Sequence, residues 1–130
     1  MLPIGEVAKR SGVAASALRY YERAGLIPRA DRQGGRRVYE DEVLDRLALI
    51  RVAKRAGFRV SEIQTLLRGL GRSTPPGTRW RALASRKRVE LERRLAELET
   101  AQRVLGAVSR CECPTLDVCA QALREHGACP

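Results

Sequence analysis

Aromatic residues are scarce in this chain, with one Phe, one Trp and three Tyr among 130 residues. Runs of β-branched residues are absent as well. Ala, Leu, Arg and Glu, all good helix formers, dominate instead, so the chain is expected to be mainly α. No apolar stretch approaches the length of a membrane span. The start, Met1-Leu-Pro-Ile-Gly-Glu6, lacks the basic segment and apolar core of a secretory signal. The expectation is a cytoplasmic protein with no membrane partner. A single histidine, His126, leaves no Ser/His/Asp set. There is no C-x-x-C in a βαβ context and no glycine loop to cradle a phosphate. These absences argue against an enzyme. Cysteine is missing from the first 110 residues, and all four, Cys111, Cys113, Cys119 and Cys129, lie in the last 20. In a reducing compartment such a cluster reads as a metal or redox site rather than a disulfide framework.

What the chain has in excess is positive charge, +10 in total. Lys and Arg outnumber Asp and Glu by 14 to 8 in residues 1–70 and by 11 to 7 in residues 71–130, so the excess is not a basic tail. A basic chain of this kind suggests a polyanionic partner, nucleic acid first.

Helical spacing of Ile4, Val7 and Ala8 predicts a short helix stopped at Gly12. A second helix is predicted from about Ala14 to Ala24, with Ala17, Leu18 and Tyr21 toward the core. Two short helices joined through Ser11-Gly12-Val13 make a helix-turn-helix candidate. Gly34-Gly35 between two short segments signals a hairpin whose tip carries Arg32, Arg36 and Arg37, a basic wing. A helix with Val43, Leu47 and Ile50 on its apolar face runs to about Ala56. Another begins at Ser61, read as its cap, and buries Ile63, Leu66, Leu67 and Leu70.

Residues 71–78, rich in Gly, Pro, Ser and Thr, read as a linker between a first domain, 1–70, and a long helix over 79–109. In that helix Leu91, Leu95, Leu98, Gln102 and Leu105 step by 4, 3, 4, 3, a heptad seam with one polar position. So long a helix would overhang so small a domain. A second copy, antiparallel or parallel, covers the seam more simply than the chain's own N-terminal part does. Residues 110–130 are expected to be a cysteine-containing loop and tail.

On the exposed side of the second helix, Arg19, Tyr20 and Arg23 offer guanidinium and phenol donors suited to guanine edges and phosphates. Three segments, Ile4-Gly-Glu-Val-Ala-Lys-Arg-Ser-Gly-Val13, Leu18-Arg-Tyr-Tyr-Glu-Arg-Ala-Gly-Leu-Ile27 and Gly35-Arg-Arg-Val-Tyr39, closely resemble the DNA-binding domain of the MerR family, as does Gly57-Phe-Arg-Val-Ser-Glu-Ile63. The resemblance spans essentially the whole chain. It implies a winged helix-turn-helix domain, a long antiparallel coiled-coil dimerisation helix and a C-terminal effector loop. By position, Arg19, Tyr20 and Arg23 fall on the recognition helix, and Arg36, Arg37 and Tyr39 on the wing and its contacts to the DNA backbone. The implied partners are a second copy, double-stranded promoter DNA and RNA polymerase. The implied mechanism is bending and untwisting of an overlong promoter spacer, a deformation energy supplied by binding.

The segment Cys111-Glu-Cys113-Pro-Thr-Leu-Asp-Val-Cys119 is similar to the SoxR-type subgroup, whose C-x2-C-x-C-x5-C pattern holds a [2Fe–2S] cluster. Here Val108 stands where that pattern has its first cysteine, and a valine cannot ligate iron. The heavy-metal-sensing members use cysteines of the same loop, and thiolates select soft ions such as Zn, Hg, Cd, Pb or Cu. Cys111, Cys113 and Cys119 are therefore the candidate ligands, with Cys129 or His126 as a further donor if the tail folds back. A purely architectural DNA-binding dimer would have no need of the cysteines.

Overall fold

The computed structural model describes residues 1–71 and 73–128. In chain order the elements are β1 (Leu2–Pro3), α1 (Ile4–Ser11), α2 (Ala15–Arg23), β2 (Asp31–Gln33), β3 (Arg36–Tyr39), α3 (Val43–Arg55), α4 (Val60–Leu67), α5 (Gly77–Ser109) and α6 (Leu116–His126). The chain divides into two compact units, Met1–Lys87 and Arg88–Pro130. The first turns of α5 thus belong with the N-terminal unit, which extends past the Gly- and Pro-rich stretch read as a linker.

The first unit is a bundle of short helices flanked by a small antiparallel sheet in the order β1-β3-β2. Gly12 closes α1 in the left-handed conformation at φ 70°, its N–H donating to the Ala8 carbonyl at 3.0 Å. Gln33 pairs with Arg36 across the two-residue turn Gly34-Gly35. Both glycines have positive φ, as the favoured hairpin turn requires. Strand β1 was not foreseen, because two residues carry no periodicity and one of them is Pro3. Proline is tolerated there because β1 is an edge strand.

The core gathers Val7 of α1, Leu18 and Tyr21 of α2, Leu47 and Ile50 of α3 and Ile63, Leu66 and Leu67 of α4. Leu26, between α2 and β2, is fully enclosed with them. Trp80 and Leu83 of α5 pack on its edge, with the Trp80 and Phe58 rings 6.2 Å apart. Side chains from later elements donate to carbonyls at helix ends that have no intrahelical partner. Arg51 reaches the Ser11 carbonyl at 2.7 Å, Gln64 that of Ala24 at 2.6 Å and Arg79 that of Leu66 at 3.2 Å. A cation at a helix C-terminus also complements the dipole there. Helix α4 begins one residue earlier than Ser61 suggested. Its N-cap is Arg59, whose N–H donates to Glu62 Oε1 at 2.8 Å, the return half of a capping box, so Ser61 lies within the first turn.

The 33 residues of α5 make a rod about 50 Å long. Leu91, Leu95, Leu98 and Leu105 lie exposed along it, Leu98 and Leu105 by 63% and 64%. In the second unit the expected loop and tail is largely helical, since α6 occupies residues 116–126. Asp117 sits in its first turn, and Gly127 ends it at φ 69°.

Replacing fully buried Leu47 by Ala removes contacts among α1, α3 and the core. It is expected to cost about 2–5 kcal/mol in urea unfolding of the chain.

Candidate functional site

Helix α2 divides its residues by burial. Leu18 and Tyr21 turn inward, whereas Arg19, Tyr20 and Arg23 are exposed on the opposite side. Beside them stands the β2–β3 hairpin, with Arg32 and Arg36 exposed and Arg37 half-buried. Arg32 donates to the Gly35 carbonyl at 3.0 Å and so stiffens the hairpin tip. Helix and hairpin together enclose a concavity of about 370 Å³ walled by Arg19, Arg23, Arg29, Arg32 and Arg37. A second of about 370 Å³ runs between the start of α1 at Ile4-Gly5 and Arg19, Arg36 and Arg37. The six guanidinium groups around these clefts come from α2, the hairpin and the segment between them, and their fixed fork of donors matches phosphate geometry.

One acidic residue holds this basic surface in place. Glu22 of α2 accepts from the Ala30 N–H through Oε1 and from the Tyr39 hydroxyl through Oε2, each at 3.0 Å, and Arg37 Nε lies 3.5 Å from Oε2. Glu22 escaped the sequence reading, although a lone acid within Leu18-Arg-Tyr-Tyr-Glu-Arg23 is the signal that marks it. Tyr39 departs from its expected role at the DNA backbone. It is only 3% exposed and its hydroxyl is committed to Glu22, so it braces the hairpin rather than presenting a donor to a partner.

The thiols lie in the second unit. The N–H groups of Arg110 and Cys111 donate to the Ala107 and Val108 carbonyls, closing the end of α5. The chain then turns through Cys113, whose N–H lies 3.5 Å from Cys111 Sγ, and enters α6, where the Cys119 N–H bonds the Thr115 carbonyl at 3.1 Å. The result brings Cys111, Cys113 and Cys119 together, with all three Sγ atoms within 4.8 Å of one another. A triangle with 4.8 Å edges has its centre about 2.8 Å from each corner, so the set accommodates a Zn–S length of about 2.3 Å or the longer bonds of larger soft ions. The donors fit a soft ion. Val108 stands in α5 and supplies no ligand, and exposed His126 lies 3.8 Å from Glu125 rather than in the thiol group. Cys129 lies outside the described residues.

A helix-turn-helix followed by a basic hairpin defines a winged-helix DNA-binding protein. Residues 2–70 match the MerR HTH family regulatory protein domain, and residues 44–108 the domain described as MerR, DNA binding. The chain belongs to the MerR family of DNA-binding transcription regulators. Relatives include the HTH-type transcriptional activator SoxR homolog of Chromobacterium violaceum, 34% identical over 91% of this chain and 80% of that one. The mercuric resistance operon regulatory protein of Bacillus cereus is 32% identical over 88% of this chain and 93% of the relative. Among solved structures, the transcription regulator PbrR691 from Ralstonia metallidurans CH34 in complex with lead(II) superposes with a TM-score of 0.70 at 27% identity, covering 90% of this chain and 93% of that one.

Burial, the hydrogen bond to Glu22 and the Glu22 charge together push the Tyr39 phenol from 10.0 up to about 12. Its folded pKa lies above the unfolded one. The stability it contributes is therefore complete below pH 10 and is lost as pH rises from 10 toward 12. Alkaline titration followed by phenolate absorbance should show a step near pH 12 that Tyr39→Phe removes.

Proposed function

We propose that this chain is a homodimeric regulator that distorts promoter DNA in response to a soft metal ion bound by Cys111, Cys113 and Cys119. The observation that carries the reading is the meeting of three thiols within 4.8 Å on a chain whose other unit is a winged-helix DNA-binding domain. The names of the relatives support it, since one regulates mercuric resistance and a solved neighbour holds lead(II). The exposed seam of Leu91, Leu95, Leu98 and Leu105 supports pairing of two copies along α5. Arg19, Tyr20 and Arg23 would enter the groove and Arg36 and Arg37 would grip the backbone, with Tyr39 holding the wing. The effector's work is to change how the DNA is bent and twisted, which RNA polymerase would sense. All of this takes place on promoter DNA in the cytoplasm.

A redox reading with a [2Fe–2S] cluster is favoured by one observation, the 34% identity to the SoxR homolog. It requires a fourth ligand in place of Val108. Elemental analysis and a visible spectrum of anaerobically purified protein separate the two. Iron with sulfide absorption supports the cluster, and a colourless protein that takes up one soft ion per chain supports metal sensing.

Charge reversal at Arg19 or Arg36 is expected to weaken duplex binding by about tenfold or more at every salt concentration in a gel-shift titration. Unchanged affinity would refute the assigned interface. Cys113→Ser should leave the footprint intact while abolishing the effector's influence on transcription in vitro. A response equal to wild type would remove the thiol set from the sensor.

A further inference from the structure

The cleft between α2 and the β2–β3 hairpin holds one acid among its described lining residues. Glu22 stands there beside Arg19, Arg23, Arg29, Arg32 and Arg37. Its carboxylate is 14% exposed, so it is set into the wall of the cleft rather than sealed in the core. A cleft shaped for phosphate gains no affinity from a negative charge, since the two anions repel. The geometry of the hairpin is what needs the carboxylate. Oε1 accepts the Ala30 N–H and Oε2 the Tyr39 hydroxyl, both at 3.0 Å. Ala30 immediately precedes β2 and Tyr39 ends β3, so these two bonds tie α2 to both ends of the hairpin.

Arg37 is held differently. Its Nε lies 3.5 Å from Oε2, an ion pair longer than a good N–H···O bond, and its side chain is 33% exposed. It lines both arginine clefts. An arginine placed in this way can leave the carboxylate for a phosphate, which matches its fork of donors as well. Two kinds of DNA then meet the wall unequally. A non-specific duplex offers phosphates only, so a phosphate that takes Arg37 does so against the Glu22 charge. A specific site adds base-edge contacts from α2, and those require the hairpin to keep its distance from that helix.

We propose that Glu22 is a positioning residue that sets how sharply this protein separates its own operator from other DNA. Its charge weakens non-specific binding, and its two hydrogen bonds hold the geometry that specific binding uses. The proposal deepens the DNA interface proposed above and rests on it. Every group it invokes lies within Met1–Lys87.

The test titrates the full chain, by fluorescence anisotropy at several salt concentrations, against two duplexes. One is a palindrome selected in vitro by wild type, the other a scrambled duplex of the same length and composition. Glu22→Gln removes one negative charge, and its amide offers one acceptor oxygen where the carboxylate offers two. Binding to the scrambled duplex is expected to tighten by about threefold, with a salt slope steeper by about 0.9 for each Arg37 that gains a phosphate. Binding to the selected duplex weakens, so the ratio of the two affinities falls by about tenfold or more. Asp31→Asn makes the same charge change at an exposed position of β2. It should move both affinities together and leave the ratio within about twofold.

A carboxylate with a structural role only would lower the melting temperature and weaken both duplexes alike. Should Glu22→Gln not fold, Glu22→Asp keeps the charge but is one methylene too short to meet Ala30 and Tyr39 together. It is expected to bind the scrambled duplex as wild type does and the selected duplex less tightly. The proposal is overturned by a folded Glu22 variant that keeps the wild-type ratio or loses both affinities in step. An equal fall of the ratio in Asp31→Asn overturns it as well. If wild type selects no duplex at low salt, the interface itself falls and the proposal with it, a result distinct from a wild type that binds and a ratio that does not move.

Discussion

The DNA-binding unit depends on the carboxylate of Glu22. Helix α2 and the hairpin that follows it are each too small to hold an orientation by burial alone, and each carries arginines that repel those of the other. One negative charge between them, accepting from a backbone N–H, a phenol and a guanidinium, converts that repulsion into a shared anchor. Charge-assisted hydrogen bonds of this kind are about twice as strong as neutral ones. They also have direction, which packing lacks. With Tyr39 and Ala30 tied to it, the hairpin stands at a fixed distance from Arg19 and Arg23, and the two arginine-walled clefts acquire a definite width.

Arginine serves two purposes in this fold, and burial of the acceptor separates them. Arg51 and Arg79 spend donors on the Ser11 and Leu66 carbonyls at helix ends, and Arg46 spends one on the Leu26 carbonyl between α2 and β2, so part of the chain's large positive charge works inside the fold. Arg19, Arg23 and Arg36 face solvent. The arginines that wall the two clefts thus belong to one helix, one hairpin and the segment between them.

Much of this was legible in the sequence because local rules and tertiary structure agree. Gly12 and Gly34-Gly35 sit where backbone geometry demands them, and the apolar spacing of Val43, Leu47 and Ile50 matches the buried face of α3. The thiol group was legible because its members lie within nine residues of one another. What escaped depends on contacts across distance. Tyr39 alternates along its strand in a way that allows either face, and only Glu22, 17 residues earlier, decides for the interior. The pairing of Lys87 with Glu62 spans 25 residues and leaves no local trace. Helix α6 was hidden because Leu116, Val118 and Leu123 form no buried stripe, all three being exposed.

The compactness of the thiol centre has a thermodynamic corollary. All three sulfurs belong to one protomer, and joining them closes only a short loop at the end of a helix, an ordering cost that grows slowly with length and is small here. The ordering that brings the three thiols together is therefore local to the turn between α5 and α6.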